Sequence, residues 1–130
     1  MLTFDGVCEL VLQSRSPEAM LDFYERLGLK LLTREGDRIW LAAGDRCRIG
    51  IWPPGEQEHR DRGGSHVHFA LSALDGSLDR TIEWMLKVGW EFEGPVTHDG
   101  GDRSVYLFDP EGNRLEIWNY FDEERKAPDL

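Results

Sequence analysis

The chain has 130 residues, a formal net charge of −10 at pH 7, 40% apolar and 31% charged residues, which is one domain's length and the composition of a globular protein rather than a disordered one. Strong acidity without clusters of Lys and Arg excludes nucleic acid as a partner, because neutralising phosphates requires such clusters. The apolar stretches are strand-sized and fall well short of the roughly 20 residues that a membrane span needs.

The N-terminus, MLTFDGVCEL, lacks a basic segment followed by an apolar one, so it reads as no signal peptide and the expected location is the cytoplasm. CELVLQ is the first strand. A helix follows over residues 17–27, with Ser16 as N-cap, Pro17 at the first helical position, Gly28 just past the end, and Met20, Phe23, Tyr24 and Leu27 on one apolar stripe. LKLLTR is the second strand, and RIWLAAGDRCRIGIW (38–52) reads as a strand, a Gly-containing turn and another strand. PPGEQEHRDRGG, residues 53–64, is polar and rich in Pro and Gly, the composition of a linker, with His59 solvated within it.

The order then repeats: HVHFALS as a strand, a helix over 76–88 with Leu78, Ile82, Met85 and Leu86 as its stripe and Gly89 closing it, WEFEG as a strand, and SVYLFDPEGNRLEIW (104–118) as a hairpin. Residues 38–52 align on 104–118 without a gap, with Leu41/Leu107, Arg48/Arg114, Ile51/Ile117 and Trp52/Trp118 identical. Each half is therefore β-α-β-β-β, an α+β arrangement of a first module over about residues 4–54 and a second over about 64–120, with a tail at 121–130.

Period-two alternation separates two faces of the strands. One carries Cys8, Leu10, Leu12, Ile39, Leu41, Ile49, Ile51, Val67, Phe69, Leu71, Val105, Leu107, Leu115 and Ile117, and is the face for helices to cover. The other mixes Glu9, Gly50, His66, His68, Ser104, Arg114 and Glu116 with the aromatic side chains of Trp40, Trp52, Tyr106, Phe108 and Trp118. A curved mixed sheet with its helices outside would turn this second face into a concave ligand cavity, and an exposed or dimer-buried sheet face is the alternative. Cys8 and Cys47 match no zinc or redox spacing and are expected to be buried thiols rather than a disulfide.

The second half, with its DP-x-GN-x-x-E strand-turn-strand, and the first, with FY followed by LGL, resemble the two modules of the vicinal oxygen chelate superfamily, which includes glyoxalase I, bleomycin-resistance proteins, fosfomycin-resistance enzymes and extradiol dioxygenases. The resemblance spans the chain apart from linker and tail. It implies metal ligands on the first and fourth strands of each module, at Glu9, Gly50, His66 and Glu116. Gly50 cannot ligate, leaving Glu9, His66 and Glu116 for one divalent ion, Zn, Ni, Mn, Co or Mg. His68, two residues beyond His66 on the same face, is either an alternative ligand or a substrate-facing residue.

Three ligands with open positions imply a small substrate that chelates through neighbouring oxygens, with Glu9 moving a proton in a lyase, isomerase or thiol-transfer reaction. Substrate contacts are expected from Trp40, Trp52, His68, Ser104, Tyr106, Phe108 and Trp118. Dioxygenase chemistry fits less well, because the set departs from two His and one carboxylate. A metal-free binder of the bleomycin-resistance type, stacking a flat ligand on the aromatic side chains, is the competing reading. The resemblance also implies a homodimer. His98 reads as an exposed loop residue or a substrate contact, Arg103 and Arg114 as salt-bridge partners of carboxylates, and Asp109, Pro110, Gly112 and Asn113 as turn chemistry.

Overall fold

The computed structural model describes residues 2–55 and 67–123. The chain divides into two compact units, Met1–Arg60 and Asp61–Leu130. In the first, β1 (Glu9–Gln13), α1 (Pro17–Arg26), β2 (Lys30–Glu35), β3 (Arg38–Ala42) and β4 (Arg48–Trp52) form a four-stranded sheet in the order β1-β4-β3-β2. The second repeats the arrangement with β5 (Phe69–Ser72), α2 (Ser77–Val88), β6 (Glu93–Thr97), β7 (Arg103–Phe108) and β8 (Arg114–Trp118), in the order β5-β8-β7-β6. Each module thus closes its own mixed sheet: the first strand pairs in parallel with the last, and the hairpin strands pair antiparallel. A parallel pair needs a long crossover, which the helix and the intervening strands provide.

The aliphatic face forms the core of each unit. Leu12, Ile39, Leu41, Ile49 and Ile51 are buried in the first with Met20, Leu21 and Tyr24 of α1. In the second, Val105, Leu107, Leu115 and Ile117 are buried with Leu78 and Met85 of α2. Burying each such side chain contributes roughly 1.5–3 kcal/mol. α2 ends at Gly89 in the left-handed conformation (φ 79°), where its N–H returns to the carbonyl of Met85, a geometry that glycine adopts without a Cβ clash.

Several expectations are corrected. Leu86 is 68% exposed, because Leu78, Ile82 and Met85 already fill the side of α2 that faces the sheet. Ser16 occupies the N-cap position of α1, but its side chain makes no capping hydrogen bond; its own N–H donates to Ser14 Oγ at 2.9 Å instead. β6 runs over Glu93–Thr97 rather than WEFEG, and its pairing with β7 is irregular between Glu93 and Val96, around Gly94 and Pro95. Proline donates nothing to a ladder, so a regular register does not continue through it. Val67 precedes β5 and is exposed. Cys8 is exposed and Cys47 half-buried, so neither thiol belongs to the core.

Of the expected linker, only residues 53–55 lie within the described residues, and of the tail only 121–123; His59 and His66 lie outside them. Among the described residues no helix is long and apolar enough to cross a membrane.

Candidate functional site

In the second unit the polar face is organised around Glu116. β8 carries it into the sheet opposite Tyr106 of β7 and Ala70 of β5, and the side chain is only 6% exposed. His68 Nε2 lies 3.4 Å from its Oε1 and His98 Nε2 lies 3.9 Å from its Oε2, so either imidazole pairs with it when protonated. The Tyr106 phenol hydrogen-bonds the same carboxylate and the Ser104 hydroxyl; desolvation first, and then the bond to Glu116, hold that phenol above its ordinary value. His98 Nε2 in turn shares a 2.9 Å hydrogen bond with Ser104 Oγ. Ser104 is fully buried, so this bond fixes the imidazole on a rigid strand.

Aromatic rings wall the cluster. The rings of His68 and Tyr106 meet edge to face at 5.8 Å, and His98 lies against Trp118 at 5.3 Å. Trp118 Nε1–H donates to the buried carboxylate of Asp102 at 2.7 Å. Arg114 stacks over Tyr106 and reaches Glu93, while Arg103 pairs with Asp79, so both arginines are engaged by carboxylates as expected. Phe108 is 56% exposed at the far end of β7. The DPEGN turn is held by Asp109, whose Oδ1 accepts from the backbone of Glu111 and Asn113 and whose Oδ2 accepts from the Asn113 amide, the turn chemistry expected of those residues.

The first unit's polar face is built differently. Glu9 Oε1 accepts from Trp40 Nε1 and from Arg48 Nε, both at 2.9 Å. Trp40 and Trp52 pack edge to face at 5.9 Å, Arg38 stacks on Trp52 at 3.9 Å, and Arg48 lies over Trp40 at 5.0 Å. The two indoles converge above Gly50, where a Cβ would come within 2.7 Å of Trp52 Nε1 and 3.2 Å of Trp40 Nε1. Trp52 Nε1 is buried there without a hydrogen-bond partner.

The two ladders fix which residues correspond. Val11 faces Gly50 in the first sheet and Ala70 faces Glu116 in the second. Two residues before these stand Glu9 and His68, so His68 holds the place in its module that Glu9 holds in the other. Ligand atoms that share a divalent ion at about 2.0–2.2 Å lie roughly 3 Å from each other, and the 3.4 Å between His68 Nε2 and Glu116 Oε1 fits two neighbouring ligands. Gly50 supplies no donor and the room above it is filled. Among the described residues no group of three or more His, Cys, Asp or Glu is placed to hold a metal ion.

Of the two alternatives for His98, an exposed loop residue or a substrate contact, the structure gives an imidazole anchored on Ser104 beside Glu116. Asp102, a buried carboxylate that orients Trp118, sits in the same Gly- and Asp-rich loop, and nothing in the local pattern marks it.

Comparison with known proteins agrees with this organisation. Residues 6–117 match the family model described as Glyoxalase/Bleomycin resistance protein/Dioxygenase superfamily. Among solved structures, lactoylglutathione lyase from Agrobacterium tumefaciens is similar with a TM-score of 0.71 at 21% identity, over 88% of this chain and 93% of that one. A glyoxalase/bleomycin resistance protein/dioxygenase from Alicyclobacillus acidocaldarius gives 0.68 at 25% identity over 93% and 96%. A glyoxalase/dioxygenase from Nostoc punctiforme gives 0.70 at 21% identity over 88% and 90%.

Proposed function

Because the chain belongs to the Glyoxalase/Bleomycin resistance protein/Dioxygenase superfamily, we propose that its second module carries a divalent-metal site founded on His68 and Glu116, serving lyase, isomerase or thiol-transfer chemistry on a small substrate with neighbouring oxygens. The observation that supports this most directly is the 3.4 Å approach of the two donors at a buried carboxylate. The imidazole passes here from His66 to His68, the residue in register with Glu9. Glu9 stays a candidate ligand and proton carrier at the first module's corresponding position, its Oε1 anchored by Arg48 and Trp40.

A divalent ion supplies Lewis acidity toward a substrate oxygen when bound. The chain's own groups do the rest. Tyr106 stands opposite Glu116 across the β7–β8 ladder and offers its phenol to the carboxylate, as a hydrogen-bonding neighbour of a ligand does. His98, held by Ser104, sets an imidazole beside the carboxylate where it can hydrogen-bond a substrate oxygen. Trp118 and the Tyr106 ring supply apolar walls, while Trp40, Trp52 and Phe108 remain candidate contacts for an aromatic or thioether portion. A homodimer belongs to the same proposal by family resemblance.

The competing reading, a metal-free binder of flat ligands, is favoured by one observation: the first module's polar face is a self-satisfied stack of indoles and guanidinium groups around Gly50. Metal analysis of protein purified without a His-tag or chelator separates the two. Near-stoichiometric divalent metal that is lost in a His68→Ala/Glu116→Ala variant supports the metal site. If the parent protein stays metal-free after reconstitution with Mn²⁺, Ni²⁺, Co²⁺ and Zn²⁺, the metal reading falls, and tryptophan quenching by aromatic ligands becomes the assay to pursue.

A further inference from the structure

The two cysteines lie 39 positions apart in sequence, but the fold brings them side by side. β1 and β4 pair in parallel with Glu9 opposite Arg48, and the ladder reaches one residue further back, where the N–H of Arg48 donates to the carbonyl of Cys8 at 2.9 Å. Cys8 therefore stands next to Cys47. Ion pairs bracket them: Glu9–Arg48 on the strand side, and Asp5–Arg46 on the approach to both strands. Alternation places the two side chains on one face, that of the neighbouring pairs Leu10/Ile49 and Leu12/Ile51. Adjacent strands lie about 4.8 Å apart, inside the roughly 4.4–6.8 Å between Cα atoms that a disulfide spans. Cys8 is exposed and Cys47 half-buried, with both thiols free.

We infer that Cys8 and Cys47 are a thiol pair that low-molecular-weight disulfides oxidise to an intramolecular bond across the start of the first sheet. The exposed Cys8 thiolate attacks one sulfur of the small disulfide; its S–S bond breaks and one thiol leaves with a proton. The Cys47 thiolate then attacks Cys8 Sγ and expels the second thiol, so the two cysteines lose two electrons and two protons and the small disulfide is reduced to two thiols. Cys8 stands just before the edge strand β1, after exposed residues such as Phe4 and Val7, so the small adjustment that brings the Cβ atoms together falls on the outer strand while Cys47 stays held to Ala43 just before β4.

The test is incubation of the reduced full-length protein with oxidised glutathione, read by intact mass, thiol titration in denaturant and non-reducing peptide mapping. Expected is a monomer lighter by two hydrogens, no titratable thiol, and Cys8 and Cys47 in one cross-linked peptide pair. Its Tm should rise on the order of 10 °C, since the bond closes a long loop. Cys47→Ser should stop at a mixed disulfide on Cys8. Two stable glutathione adducts on the parent protein, a disulfide between two chains, or two unreacted thiols would each overturn the inference.

Discussion

Replacing Gly50 with Ala adds a single methyl group at a position where the backbone is an ordinary strand, so only packing resists it. The new Cβ would lie 2.7 Å from Trp52 Nε1 and 3.2 Å from Trp40 Nε1, and the first of these distances forces a side chain to move. Neither indole is a loose chain end. Trp40 is tied to Glu9 by a 2.9 Å hydrogen bond, and Trp52 lies between Trp40 and the Arg38 guanidinium. Overpacking of this kind costs about 1–3 kcal/mol, and displacing Trp40 forfeits part of a charge-assisted bond worth about 1.5–3 kcal/mol. Against this, alanine gains about 0.5–1 kcal/mol over glycine within a strand through lost unfolded-state freedom. The expected net loss is about 1–3 kcal/mol, read as a lower urea midpoint by far-UV circular dichroism at unchanged m-value. A Gly50→Ala/Trp52→Leu double variant should regain part of the stability lost to the alanine, because the clash is removed. If Gly50→Ala is neutral or stabilising, the two indoles do not close over Gly50, and the case for a filled position in the first module fails.

Two further outcomes follow from the second module. Tyr106→Phe removes the hydrogen bond to Glu116 and should lower stability by about 1–2 kcal/mol at neutral pH. Because the folded-state value of this phenol is raised, its contribution is fully present below the unfolded value near pH 10 and fades as pH rises through the folded one; urea midpoints between pH 8 and 11 should therefore fall less steeply in Tyr106→Phe than in the parent, and parallel slopes would contradict the assignment. On α2, Leu78→Ala should cost about 2–5 kcal/mol and Leu86→Ala less than about 0.5 kcal/mol, since the first side chain is 1% and the second 68% exposed; comparable losses in a thermal melt would mean that another surface covers Leu86.

The order of elements was legible because its signals are local and occur twice. Hydrophobic period, helix stops at Gly28 and Gly89, and the DPEGN turn all act within a few residues, and the ungapped match of 38–52 on 104–118 ties them into two equivalent modules. Errors fell where local signals compete. Leu86 satisfies helical spacing as well as Met85 does, and only the direction of the sheet selects between them. WEFEG alternates like a strand, yet the pairing partner of β7 begins at Glu93 and carries the irregularity at Gly94 and Pro95.

The residue types of the candidate site were also visible, but not their partners. Alternation puts His66 and His68 on one face and cannot separate them, because a shift of two residues preserves parity; the ladder that sets Ala70 against Glu116 singles out His68 as the counterpart of Glu9. His98 and Asp102 are far from Glu116 in pattern and reach its surroundings only because the β6–β7 connection folds back over Ser104 and Trp118. The two-module plan, the aliphatic and aromatic faces and the chemical types on them follow from spacing along one chain and are readable without the fold. That Glu9 is bound by Trp40 and Arg48, that the space above Gly50 is filled, and that Cys8 stands beside Cys47 emerge only on folding, since each depends on strand register, which joins residues distant in sequence at a separation of a few ångströms.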